Sequence, residues 1–279
     1  MNTKVVEIKG KSPGKTVSIL VGVHGNEKCG INAVEKILSG LKIDKGMLYV
    51  IYCNLKAMDK NKRFIEENLN RCFLKEQPEN LRESLEGKTA REIMPYLDRS
   101  DMALDLHASN TKESVPFIIC EKRSFDVARA LPVKIVSRNW GCFEPGGTDY
   151  YMNLQNKVGI CVECGYLGDE KSTELAEKSI LEFLKVAELI RGEPEQNEQE
   201  YIEVCDLYRN KFGKFRKVRE FSDFELLGKG TLIGMDEDEE VRAGEDGFVL
   251  FVRDREKIWE ECFLLARPTI NIKTNRGLE

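Results

Sequence analysis

Apolar positions in the first 190 or so residues fall into short, nearly continuous runs separated by longer, mixed stretches. The runs are residues 5–10, VSILVGV (17–23), GMLYVIYCN (46–54), MALDLHAS (102–109), PFIIC (116–120), VKIVS (133–137) and GICVECGY (159–166). Their length and β-branched content predict strands, and their lack of polar alternation predicts strands covered on both faces. Between them, Ile31, Val34, Ile37 and Leu38 recur at helical spacing before a Ser39-Gly40 stop. Residues 84–98 and SFDVARAL also read as helices. Residues 172–190 predict a long amphipathic helix with Leu175, Leu181, Leu184 and Ile190 on its buried side. Strands alternating with helices predict an α/β domain over residues 1–195, with a mainly parallel or mixed sheet and helices on both faces. Residues 55–80 are polar and weakly periodic, and an ordered domain rarely keeps so long a loop without a use.

The pattern changes after RGEPEQNEQE (191–200), a charged linker poor in apolar residues. Beyond it come IEVCDLY, KFRKVREF, TLIGM, GFVLFV and CFLLA, broken by glycines and acidic turns. These predict a small all-β, barrel-like domain over residues 200–279. The MDEDEE run inside it reads as a solvated turn, since its spacing fits no calcium loop. No internal repeat is evident.

Composition narrows the function classes. A formal net charge of −5 argues against a broad nucleic-acid or anionic-membrane surface, while allowing a local basic pocket for a small anionic substrate. No apolar run approaches the roughly 18 residues of a membrane-spanning helix. The start, MNTKVVEIKGKSPGK, lacks the pattern of an export signal, so a cytoplasmic protein is expected. The nine cysteines are an odd number set mostly in apolar strands, which fits reduced, buried thiols. Cys161 and Cys164 form a CxxC, but in a strand they project to opposite faces and suit packing better than joint metal binding. A homo-oligomer is left open.

Against this background the chain's two histidines stand out. His24 follows one predicted strand and His107 lies near the end of another, and open α/β sheets collect functional groups beyond the carboxyl ends of their strands. Glu27 lies three residues past His24. Two imidazoles and one carboxylate suit a tetrahedral zinc with one open position, the donor set of a hydrolytic site. The plainer alternative is a helix-capping histidine and a satisfied core histidine, which does not explain their equivalent strand-end contexts. One Zn2+ per chain is therefore expected. Zinc hydrolysis of an amide also needs a group to take a water's proton and return it to the leaving nitrogen. Glu163, inside the apolar CVECGY, is the candidate, with an ion-paired structural glutamate as the alternative. In the long loop, Arg63, Asn70 and Arg71 offer a guanidinium fork and an amide to a substrate carboxylate.

These residues resemble the succinylglutamate desuccinylase/aspartoacylase family of zinc amidohydrolases, related to carboxypeptidase A. The matching words are HGNE (24–27), R-x4-NLNRCF (63–73), DLH (105–107) and ECG (163–165), in family order. The resemblance implies a zinc carboxypeptidase-like fold with zinc on His24, Glu27 and His107. It further implies Glu163 as general base and then acid, Arg63 polarising the scissile carbonyl, and Asn70 with Arg71 gripping the amino-acid carboxylate. The C-terminal GKGTLIG…AGEDGFVLF is loosely similar to a lipoyl-like barrel, with no lipoyl or biotin attachment expected. Departures bear on the substrate. Asn68 replaces the aspartate of the family's DLNR, DLH is followed by Ala-Ser-Asn, and ECG lacks a following Pro-Gln. Arg138 and Tyr150 or Tyr151 are unassigned candidates for a second substrate carboxylate.

The leading expectation is a zinc-dependent deacylase acting on a small anionic N-acyl amino acid. A metallocarboxypeptidase or peptide amidase would share the same centre. A reading of another class is a non-catalytic metabolite-binding protein on a hydrolase fold.

Overall fold

A computed structural model describes residues 1–112 and 114–269; the end of the expected second domain, 270–279, lies outside the described residues. The chain divides into two units, Met1–Val136 with Trp140–Gln199, and Ser137–Asn139 with the chain from Glu200 onward. Among the described residues no helix is long and apolar enough to cross a membrane.

The first unit opens with β1 (Lys4–Lys9), β2 (Ser12–Val21), α1 (Cys29–Leu38), β3 (Lys45–Tyr52) and α2 (Leu55–Asp59). A 3-10 turn at Leu69–Arg71 precedes α3 (Glu79–Glu83), α4 (Leu85–Arg99) and β4 (Met102–Ser109). Then come β5 (Phe117–Cys120), α5 (Phe125–Ala128), β6 (Ile135–Arg138, whose last two residues belong to the second unit), α6 (Thr148–Leu154), β7 (Val158–Tyr166) and α7 (Glu170–Val186). The strands run in the order β1-β3-β2-β4-β7-β5-β6. The central β3, β2, β4 and β7 are parallel, while β1 and β5 pair antiparallel with β3 and β7.

This order puts the chemistry at a switch point. After β2 the chain crosses to β3 on one side, and the next parallel strand, β4, lies on the other. The carboxyl ends of β2 and β4 are thus adjacent with connections leaving in opposite directions, the crevice where open sheets bind ligands. Alternation sorts the two faces. Leu20 and Ala103 join Ile93 and Leu97 of α4 and Met152 of α6 in one core cluster. On the opposite face α1 packs closely, since a Cβ on Gly30 would meet Val21 and Leu106 side chains at 2.9 and 2.8 Å.

Two details depart from the sequence pattern. The buried stripe of α7 is carried by Ala176, Ile180, Phe183 and Leu184, with Leu175, Leu181 and Ile190 only half-buried. The buried face is thus shifted from the expected one, and the helix ends at Val186, before Ile190. The short α6 has no apolar repeat long enough to announce a helix.

The second unit holds β8 (Glu200–Arg209), β9 (Phe215–Lys217), β10 (Glu225–Leu227), β11 (Leu232–Asp236), β12 (Glu239–Arg242), β13 (Gly247–Leu250) and β14 (Glu261–Pro268). Strands β8, β14, β13 and β10 are neighbours in that order, and β12-β11-β9 form a separate antiparallel sheet. Phe215, Ile233, Val249 and Phe263 form the core, with the Tyr208 ring stacked 5.1 Å from that of Phe263. The acidic run is not simply a solvated turn. Asp236 is fully buried and accepts hydrogen bonds from the Tyr208 hydroxyl and from the backbone N–H groups of Lys211, Phe212 and Gly213. These bonds hold its carboxyl below the usual range against the opposing effect of burial.

Candidate metal centre

Beyond β2 the chain turns at Gly22, whose φ of +67° suits glycine, and His24 follows the buried Val23. Gly25 serves close packing rather than a left-handed turn. A Cβ there would lie 2.2 Å from the carbonyl carbon of Ala57 and 2.3 Å from the Met58 nitrogen, so the start of α2 leaves room only for hydrogen. The Glu27 N–H donates to the His24 carbonyl at 3.1 Å, closing a turn that returns the glutamate towards the imidazole.

The second histidine arrives from β4. Leu20 of β2 is in register with Asp105 of β4, which brings His107, two residues further along the same face, level with the turn after β2. The distances then converge. His24 Nδ1 lies 2.9 Å from Glu27 Oε1, His107 Nδ1 lies 2.9 Å from Glu27 Oε2, and the two Nδ1 atoms are 3.1 Å apart. All three residues are at most 3% exposed.

Each outer nitrogen has a side-chain oxygen close by. His24 Nε2 is 2.9 Å from Asn68 Oδ1, and His107 Nε2 is 3.0 Å from Asp105 Oδ2, which also accepts from the Thr148 hydroxyl at 2.6 Å. The Asn68 contact orients the His24 ring and its tautomer, whereas His107 Nε2 and Asp105 Oδ2 are close enough to attract as charges without the alignment of a hydrogen bond. Burial pushes the His24 pKa down to about 4, so this imidazole is neutral at physiological pH. Burial opposes charge on Glu27 too, but His24 and His107 hold its carboxyl well below the usual range. Burial likewise works against charge on His107, yet Asp105 and Cys161 more than offset it and raise its pKa well above the usual imidazole value. The cluster thus places positive charge on His107, between two carboxylates.

Two imidazoles and an ionised carboxylate are the donors a divalent cation takes. One ligand atom from each of His24, Glu27 and His107 lies within 4.8 Å of the others. The residues fit a metal ion, and its entry would displace the His107 proton.

The remaining sequence candidates are distributed around this cluster. Arg63 reaches it directly, with Nη1 2.7 Å from Glu27 Oε1 and its carbonyl accepting from the Gly25 N–H at 3.1 Å. Glu163 of β7 is in register with His107 of β4, so the two side chains leave adjacent parallel strands on the same face. Asn70 follows Asn68, whose side chain accepts from the Asn70 N–H at 3.0 Å, and its own Oδ1 is buried without a partner among the described residues. Arg71 donates to the Asn70 carbonyl at 2.9 Å and forms an ion pair with Glu144, which is not a contact with the cluster. Two unassigned candidates are engaged elsewhere. Arg138 pairs with Glu203 at 2.9 Å, and the Tyr151 hydroxyl donates to Asp98 at 2.8 Å.

Sequence reasoning missed Asp105, Thr148 and Glu144, and saw Asn68 only as a departure from the family pattern. Asp105 was within reach, since D-x-H in a strand puts both side chains on one face. Thr148 and Glu144 come from a distant segment with no local signal.

The fold is an open α/β sheet with two histidines and a glutamate gathered at one edge. The chain belongs to the family described as succinylglutamate desuccinylase/aspartoacylase catalytic domain, whose model matches residues 13–186. It is 26% identical to a probable aspartoacylase of Nostoc sp., over 77% of this chain and 81% of that protein. A succinylglutamate desuccinylase of Pseudoalteromonas atlantica is 27% identical over 91% of this chain and 82% of its own length. The fold matches the solved succinylglutamate desuccinylase of Vibrio parahaemolyticus with a TM-score of 0.78 at 18% identity, covering 95% of this chain and 86% of that one.

Proposed function

We propose that this protein is a zinc-dependent hydrolase that cleaves the amide bond of a small N-acyl amino acid, with one zinc held by His24, Glu27 and His107. The observation that carries the reading is the pair of Nδ1 atoms, 3.1 Å apart against one carboxylate, with His24 Nε2 held by Asn68 and the Asp105 carboxylate beside His107 Nε2. When bound, the ion supplies Lewis-acid polarisation of the amide carbonyl and of a water. Glu163, one strand from His107, takes the water's proton and returns it to the leaving nitrogen. Arg63, already at the cluster, donates to the carbonyl oxygen as negative charge develops there. Asn70 and Arg71 hold the substrate carboxylate. A guanidinium has five N–H donors, so Arg71 keeps capacity for it beside Glu144. The relatives' names, aspartoacylase and succinylglutamate desuccinylase, support the substrate class.

A substrate panel tests this. Zinc-loaded protein should release free amine from N-acyl amino acids faster than from dipeptides with a free C-terminus, at matched concentration. Faster cleavage of the dipeptides would favour a metallocarboxypeptidase instead.

Asn68 gives a second expectation. Asn68→Ala removes the acceptor of His24 Nε2 and the side chain that receives the Asn70 N–H. Loss of such an outer partner should weaken zinc affinity about 10–100-fold, read by competition with a chromophoric chelator. Asn68→Asp should bind at least as tightly as the native chain, since a carboxylate accepts the same bond. Equal affinities in all three proteins would remove Asn68 from the metal site.

A further inference from the structure

Glu86 is a charged residue in the first turn of α4, yet it is fully buried. Oε1 accepts from the Ile65 N–H at 2.8 Å and from Asn54 Nδ2 at 3.2 Å. Oε2 accepts from the Glu66 N–H at 3.2 Å and the Glu67 N–H at 3.0 Å. Three successive backbone N–H groups therefore curl around one carboxylate, the geometry of a backbone anion nest built for a side chain of the same protein. The contact is reciprocal, because the Glu66 carboxylate accepts from the Leu85 N–H at the start of α4 at 2.6 Å.

The position of the clamped tripeptide matters. Arg63, which reaches Glu27, lies just before residues 65–67, and Asn68, which reaches His24, lies just after. Asn54, the fourth donor, caps α2, accepting from the Ala57 N–H at 3.4 Å. The backbone of Ala57 and Met58 is the wall against which Gly25 lies. One carboxylate thus joins the two loop residues that touch the metal-site cluster and the element that backs its turn.

We propose that Glu86 is a positioning residue: its carboxylate holds segment 65–67 so that Arg63 and Asn68 meet the metal ligands, and Asn70 and Arg71 follow in register. The inference rests on the metal-dependent reading above. The chemistry explains why a carboxylate stands here. All four donors are neutral N–H groups, and an ionised carboxylate offers only acceptors to them. A glutamine of the same size would turn its NH2 towards at least one of these N–H groups and lose that bond.

Three readouts test this. In the native protein, the amides of residues 65, 66 and 67 should be among the slowest to exchange with deuterium in segment 60–75; exchange as fast as solvent-exposed loop amides would refute the clamp. This measurement needs no variant, metal or substrate. Glu86→Gln should lose zinc to EDTA on the order of 10–100 times faster than the native chain, because His24 loses its oriented partner. In the same variant, kcat/KM for an N-acetyl amino acid should fall on the order of 100-fold, and more than for its C-terminal carboxamide, because the carboxylate grip moves with the loop. A lowered melting temperature with unchanged zinc release and unchanged acid-to-amide preference would reduce Glu86 to a structural role. If the native protein hydrolyses neither compound, the functional reading fails, while the exchange and zinc-release results still decide the role of Glu86.

Discussion

Glu163→Gln should retain one zinc per chain and lose turnover by about 10²–10⁴-fold, the range a positioned proton-transfer group supplies. The loss should appear in kcat, with KM little changed, because the proposed role of Glu163 is proton transfer and not substrate grip. The substitution preserves shape and hydrogen-bonding reach, so the strand pairing of Glu163 with His107 and Phe117 should survive. Steady-state kinetics on the zinc-loaded variant, with metal content measured on the same sample, provide the check. Unchanged kcat would remove Glu163 from proton transfer. Loss of zinc would make it a ligand or ligand support instead.

Metal removal should have an effect at least as large. Stripping zinc with a chelator should abolish amide hydrolysis, and stoichiometric zinc should restore it. It should also change stability, since a metal that binds only the folded chain stabilises it by mass action. Free zinc at about a thousand times its Kd contributes about 4 kcal/mol. Thermal unfolding with and without zinc should show that gain as a raised melting temperature. The shift should vanish in Glu27→Ala, because that carboxylate bridges both histidines. Full activity after chelation would exclude metal-dependent hydrolysis. Zinc binding without hydrolysis of any N-acyl amino acid would favour the metabolite-binding alternative.

The local part of this design is readable in the sequence. Near-continuous apolar runs produced the central parallel strands, and MALDLHAS corresponds residue for residue to β4. A strand's direction and alternation then dictate where its last side chains point, so the sequence alone places HGNE and DLH at one sheet edge. The resemblance to a known family tied Arg63 to the same place.

What stayed illegible depends on contacts between distant segments. Glu86 reads as an ordinary acidic residue at a helix start, and only the fold brings residues 65–67 over it. Asn68 looks like a lost charge until its amide oxygen is found on His24. Arg71 looks like a free anion grip, but Glu144 pairs with it. Asp236 looks solvated within its acidic run, but three backbone N–H groups and a tyrosine bury it. In each case a polar side chain is satisfied by partners that sequence spacing does not specify, whereas apolar burial leaves a periodic trace.

X-ray absorption at the zinc edge tests the central claim most directly. The zinc-loaded protein should show nitrogen and oxygen neighbours only, at about 2.0–2.2 Å, consistent with His24, His107 and Glu27. A sulfur shell at about 2.3 Å would instead place the metal on cysteines such as Cys161 or Cys164, and would contradict the site described above.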